Sequence, residues 1–165
     1  MTSVQSMTSD ISDIDIKKYF ESVIYYKQSQ QHQSIIYTIE GSRFKKGLYY
    51  DDFFTYARNI LNKCLKESKE TFNKNTIITH LDLKGLTMKQ IDTTFFKKMI
   101  IILQQEYEDT LEKLIVTNIP VFFKLAYKIV RPFIDKDTKK KIFFEKKSKK
   151  GNTEFTNNDD IFEEL

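Results

Sequence analysis

The sequence predicts an α/β fold built on a mainly parallel sheet with crossover helices. Three observations lead there. Short runs rich in β-branched residues fall at 34–39, 76–83, 113–117 and 141–144, and stretches with helical periodicity separate them. Strands joined through helices pair in parallel by right-handed crossovers. Gly and Pro number only four and two in 165 residues, so long regular elements are expected rather than loops.

The elements follow in chain order. Residues 1–12 are rich in Ser, Thr and Asp and are expected to be disordered. Ile16, Tyr19, Phe20, Val23 and Ile24 make one apolar face of a helix over about 14–28, and the polar run 28–33 reads as a linker. Residues 13–33 therefore form an N-terminal helix with its linker. Ser34 to Ile39, bounded by Gly41, is the first strand. A helix over 50–70 carries Phe53, Ala57, Ile60, Leu61, Cys64 and Leu65 on one side, with Asp51 and Asp52 suiting its N-terminal dipole. The second strand, 76–83, is closed by Gly85. Thr87 with Gln90 has capping-box spacing and opens a helix to about Tyr107. That helix is apolar on two sides, through Ile91, Phe95, Met99 and Ile102 and through Phe96, Ile100 and Leu103, which predicts deep burial. After the strand at 113–117, Pro120 suits the first turn of a helix over 121–131. The last strand, 141–144, runs into a basic and polar tail over 146–165.

Composition excludes several classes. Cys64 is the single cysteine, so no internal disulfide forms and a reducing, cytoplasmic setting is expected. No run approaches the ~20 apolar residues that span a bilayer, so any membrane association is expected to be peripheral and transient. Neither a signal peptide nor a metal motif is visible: His32 and His80 lack ligand spacing. Gly41 and Gly47 are isolated, so no phosphate-cradling loop is present, and no nucleophile stands beside a base. An enzyme is not expected.

The net charge of +4 is local. Residues 136–150 hold eight Lys against Asp137 and Glu145, which leaves −2 on the remainder. Such a tract serves an anionic leaflet, a nucleic acid backbone or simply the solvent. A nucleic acid fits poorly, because no Arg-rich surface or reader motif accompanies the lysines. In the 121–131 helix, Lys124, Lys128 and Arg131 line one stripe. Phe122, Phe123, Ala126, Tyr127, Ile129, Val130 and then Phe133 cover the rest. This helix either packs on the sheet with its cations in water or lies at a membrane interface.

Taken together in order and spacing, five segments resemble the CRAL-TRIO family, the fold of the yeast-type phosphatidylinositol/phosphatidylcholine transfer proteins. The resemblance runs from Ile35 to Phe144. Thr79-His80-Leu81-Asp82-Leu83-Lys84-Gly85 is similar to its Thr-x-x-Asp-x-Lys-Gly strand. Tyr107-Glu108-Asp109 stands for Tyr-Pro-Glu. Asn118-Ile119-Pro120, with Phe123, resembles Asn-x-Pro-x-x-Phe. Pro132-Phe133-Ile134-Asp135, with Thr138, Lys141 and Ile142, resembles Pro-Phe-Leu-Asp and Thr-x-x-Lys-Ile.

The resemblance implies a lipid-binding domain over 34–145 with an apolar pocket beside the sheet. It implies a phospholipid ligand, with no other cofactor and no metal. Thr138, Lys141 and Asp109 are the implied headgroup residues. Phe123, Tyr127 and Val130 are implied on a pocket-gating helix, and Thr79 on the pocket wall. Ile77 stands where the family's phosphatidylcholine site has a serine, so phosphatidylinositol is the implied lipid. The expected protein is a monomeric, non-enzymatic lipid carrier that visits anionic membranes. The alternative is a reduced module that docks on a membrane or a protein without extracting lipid. The N-terminal helical bundle is reduced to one helix, and the Gly-Gly stretch after the last strand is replaced by the polar tail.

Overall fold

One six-stranded sheet organises the chain, in strand order β1 to β6 along the sequence. The computed structural model describes residues 13–157. The strands are β1 (Ile24–Ser29), β2 (Ser34–Glu40), β3 (Ile77–Asp82), β4 (Leu111–Thr117), β5 (Ile142–Lys147) and β6 (Thr153–Thr156). The helices are α1 (Asp13–Val23), α2 (Tyr50–Phe72), α3 (Thr93–Glu106), α4 (Phe123–Val130) and α5 (Lys136–Lys140). Strands β2 to β5 pair in parallel, and each end carries an antiparallel partner. The α/β reading with a mainly parallel sheet stands.

Each parallel strand is laid beside its predecessor in sequence order, so crossovers of one hand carry the long helices to one face. Two registers cross that face: Tyr26, Tyr37, Thr79, Leu114, Ile142, and Ile24, Ile39, Leu81, Val116, Phe144. Two cores form on it. The first joins α1, α2 and the start of α3 to β1–β3 around Phe20, Val23, Ile35, Tyr37, Phe53, Cys64 and Phe95. The second joins α4 to β4 and β5 around Val116, Tyr127, Val130, Ile134, Ile142 and Phe144. Phe96 packs against both. The opposite face shows the alternate residues, among them Ile36, Thr38, Ile78, His80 and Ile115, and no described helix packs there.

The structure corrects four expectations. The first helix stops at Val23 rather than 28, because Ile24-Tyr25-Tyr26 enter the sheet as an edge strand; Val23 and Ile24 are buried at the junction. The polar run 28–33 is consequently the end of β1 and a hairpin turn, with Gln33 at φ 47 donating its N–H to the Gln30 carbonyl. Thr87 does meet Gln90, whose Oε1 accepts from the Thr87 N–H at 2.8 Å, but this closes only a 3-10 turn, Met88–Gln90. The Gln90 amide instead ties down the Ser42 and Phe44 carbonyls at 2.7 and 2.9 Å. Helix α3 starts five residues later than expected, capped by Asp92 instead of Thr87. Finally, the stretch assigned to a polar tail from 146 continues β5 to Lys147 and returns as β6. The disorder expected over 1–12 lies outside the described residues.

Candidate functional site

Helix α4 and the corner that follows it carry most of the residues singled out from sequence. The connection from β4 turns at Asn118, which adopts φ 53, and Pro120 leads into the helix. A 3-10 turn, Arg131–Phe133, then leads to α5. Three faces run along α4. The inner face puts Tyr127 and Val130 into the second core, Ala126 is also buried, and Tyr127 meets Phe144 edge-on at 5.2 Å between ring centroids. Phe123 is half-buried and stacks on Tyr127 at 6.3 Å. A flank carries Lys124 and Lys128. The outer face bears Leu125 and Ile129, exposed at 64% and 55%; Val121, 74% exposed in the turn just before the helix, and Phe133 after it extend the row.

Sequence reasoning gave this helix two faces and missed Val121 and Leu125. The signal was present. Once Tyr127 and Val130 are assigned to the core, 3.6-residue periodicity puts Leu125 and Ile129 on the far side from it.

The corner after α4 is fixed from both sides. Gln104 of α3 donates its amide to the Phe133 carbonyl at 2.9 Å and accepts the Asp135 N–H at 2.9 Å. Asp135 caps α5: Oδ1 accepts the Thr138 N–H at 2.7 Å and Oδ2 accepts the Thr138 hydroxyl at 2.8 Å. The Thr138 N–H, with its hydroxyl and Lys141 adding to the effect, holds the Asp135 carboxyl below the usual range. Lys141, half-buried, closes α5 and precedes β5, and its carbonyl accepts the Leu114 N–H at 2.8 Å. Asp109 is exposed at φ 59 in the turn that leads into β4.

Thr138, Lys141 and Asp109 thus share the N-terminal edge of the parallel strands, and the Lys141 N–H donates to the Thr138 carbonyl at 2.9 Å. Thr79 is elsewhere. It lies in register between Tyr37 of the first core and Leu114 of the second, half-buried at the seam between them.

The space between α4 and the sheet is filled by α4's own Phe123, Tyr127 and Val130 and by Ile134. The apolar pocket expected beside the sheet is closed here. Two open cavities on the described surface are lined by neither α3 nor α4. A polar cleft of about 650 Å³ lies past the C-terminal ends of β2 and β3, lined by Glu21, Tyr25, Glu40, Arg43, Asp82 and Lys84 among others. A groove of about 370 Å³ crosses the open sheet face over Ile36, Ile78 and Ile115. His80 sits in that groove, 2.8 Å from the Thr117 hydroxyl. Cys64 is buried in the first core, and that burial pushes its thiol up to about 12, as befits a packing residue. Among the described residues no group of three or more His, Cys, Asp or Glu is placed to hold a metal. None of their helices is long and apolar enough to cross a membrane.

A profile of the CRAL/TRIO domain matches residues 19–165. The chain belongs to the CRAL/TRIO domain family. Its fold is similar to the crystal structure of Sfh5, with a TM-score of 0.66 at 22% identity; the match covers 77% of this chain and 50% of Sfh5. This chain spans half the length of Sfh5. The match begins at Tyr19, so it also takes in the end of α1 and β1, ahead of the expected start at 34. Membership in the family supports a lipid-binding protein.

Proposed function

We propose that this chain binds a phospholipid of the phosphatidylinositol type without catalysing any reaction. The acyl chains enter between α4 and the sheet, and the headgroup lies near Thr138, Lys141 and Asp109. The observation that carries the reading is the double apolar character of α4. Its inner face closes the second core while Val121, Leu125 and Ile129 stand in water. A row of that kind on one short helix is unfavourable in solvent and favourable against lipid. A helix apolar on both sides trades one apolar contact for another when it swings from sheet to bilayer.

The headgroup chemistry fits the residues at the strand edge. Lys141 presents a point charge to a phosphate, with Lys140 and Lys139 one and two residues before it. Asp109 accepts hydrogen bonds from inositol hydroxyls. The Thr138 hydroxyl gives its proton to Asp135 and keeps lone pairs for the ligand. The polar seam at Thr79, between two cores, is where such a pocket opens with least loss of packing.

Native mass spectrometry of the chain after exposure to mixed-lipid vesicles tests this. Wild type is expected to carry one phospholipid with the mass of phosphatidylinositol, and Lys141→Ala to lose it. Protein that stays lipid-free in every preparation overturns the reading.

One observation favours the second reading, a docking module that extracts nothing: the space under α4 is already filled. That reading predicts vesicle binding that weakens with salt and leaves the protein without a lipid adduct.

A further inference from the structure

The β5–β6 hairpin supplies a second surface. We propose that its tip is an electrostatic arm that grips an anionic bilayer, placed so that α4 lies flat on the same membrane. This rests on the membrane-facing reading of α4.

Position comes first. The Asn118 N–H, just past the end of β4, donates to Glu145 Oε2 at 2.6 Å. Val121 follows Asn118 by three residues, and Lys146 follows Glu145 directly. The root of the hairpin and the first exposed residue of the α4 row therefore share the C-terminal edge of the sheet.

The arm is built rather than loose. Gly151 donates its N–H to the Ser148 carbonyl at 3.0 Å and Ser148 donates to the Asn152 carbonyl at 3.0 Å. The Asn152 N–H also reaches Ser148 Oγ at 3.1 Å. Gly151 sits at φ 79, which a Cβ would strain. This turn displays Lys147, Lys149 and Lys150, all exposed.

At the far end of α4, the Lys97 ammonium lies 3.9 Å from the centre of the Phe133 ring, and exposed Lys136 follows on α5. The apolar row runs from Val121, just before α4, to Phe133, in the 3-10 turn after it, and cations bracket both of its ends. Cations at one end would tilt a helix on an anionic surface; cations at both ends hold it parallel. Apolar side chains between the lysines suit an interface of headgroups and acyl chains better than a nucleic acid backbone.

Sedimentation of the full chain with phosphatidylcholine vesicles, with and without phosphatidylserine, decides the matter. Each lysine near an anionic surface is worth about fivefold, so changing Lys147, Lys149 and Lys150 together to Ala is expected to weaken binding to phosphatidylserine vesicles about 100-fold. The same variant should lose most of the salt dependence, and the triple change to Arg should bind as wild type does. A triple-Ala protein that binds like wild type overturns the proposal. So does a triple-Arg protein as weak as triple-Ala, and so does a wild type that prefers single-stranded RNA to phosphatidylserine vesicles at the same salt. A lipid adduct in mass spectrometry alongside an unaffected triple-Ala variant removes only the arm. A wild type that never sediments with vesicles removes the membrane reading itself.

Discussion

Two aspartates set the starts of two helices, and both spend both carboxylate oxygens. Asp92 Oδ1 accepts the Phe95 N–H at 3.0 Å while its Oδ2 accepts the Tyr50 hydroxyl at 2.8 Å. Asp135 takes the Thr138 N–H and hydroxyl in the same manner. In each, the backbone N–H is the leading reason that the carboxyl is held below its usual value. A carboxyl lowered by folding stabilises the fold above its unfolded value, about 3.9. That stability is lost as pH falls through the lower folded value. Denaturant midpoints are therefore expected to hold steady down to about pH 4 and to fall below it. Asp135→Ala should cost about 1 kcal/mol in urea unfolding, and Asp135→Asn, which still accepts from Thr138, well under that. Equal losses in the two variants would show that the cap is not what Asp135 contributes. The cap also matters for the proposed lipid site, because α5 carries Thr138 and delivers Lys141 to the strand edge.

At the scale of elements, α4 can be tested face against face. Tyr127→Ala empties a core position and should cost about 3 kcal/mol in stability. Leu125→Asp changes a side chain 64% exposed, so unfolding should be nearly unaffected while vesicle binding drops sharply. If Leu125→Asp destabilises the fold and leaves vesicle binding intact, the outer row is packing surface and the membrane reading of α4 fails.

The same helix shows what was legible in sequence. Its existence and its basic stripe came from periodicity, while its start did not: Pro120 lies in the lead-in, and α4 begins at Phe123. Its third face did not, because a pattern of apolar residues does not say which side meets the core. β1 was hidden for a related reason: Ile16 to Ile24 keeps helical spacing straight across the junction, and only pairing with β2 turns Ile24-Tyr25-Tyr26 into a strand. β6 was hidden because its partner, the lysine-rich end of β5, reads as a solvated tail. The capping box at Thr87 was correctly paired and wrongly extended, since Gln90 answers to the distant carbonyls of Ser42 and Phe44. Of the site, family spacing placed Thr138, Lys141 and Asp109 on one edge. It implied Thr79 for the pocket wall, and Thr79 lies half-buried in register between the two cores.

For the molecule as a whole, the consequential fact is that the helix face holds two cores rather than one. The first gathers eight packed aromatic rings: Tyr19, Phe20, Phe44, Tyr50, Phe53, Tyr56, Phe95 and Phe96. It ties α1 and α2 to the sheet and includes nothing from α4. The second depends on α4, which is eight residues long and exposes half its circumference. Local opening follows the part with fewer buried contacts. Lipid entry should therefore open the second core and leave the first intact, with Phe96 as the hinge side chain common to both. Hydrogen exchange read by peptide mass spectrometry checks this. On adding phosphatidylinositol vesicles, amides of α4 and of the segment from Arg131 to Lys141 should change their exchange several-fold. Those of α2 and of the Ile35–Tyr37 stretch should keep their rates. A change spread evenly over both cores would mean that the sheet moves as one piece, and that a lipid, if it binds, does not enter at the Thr79 seam.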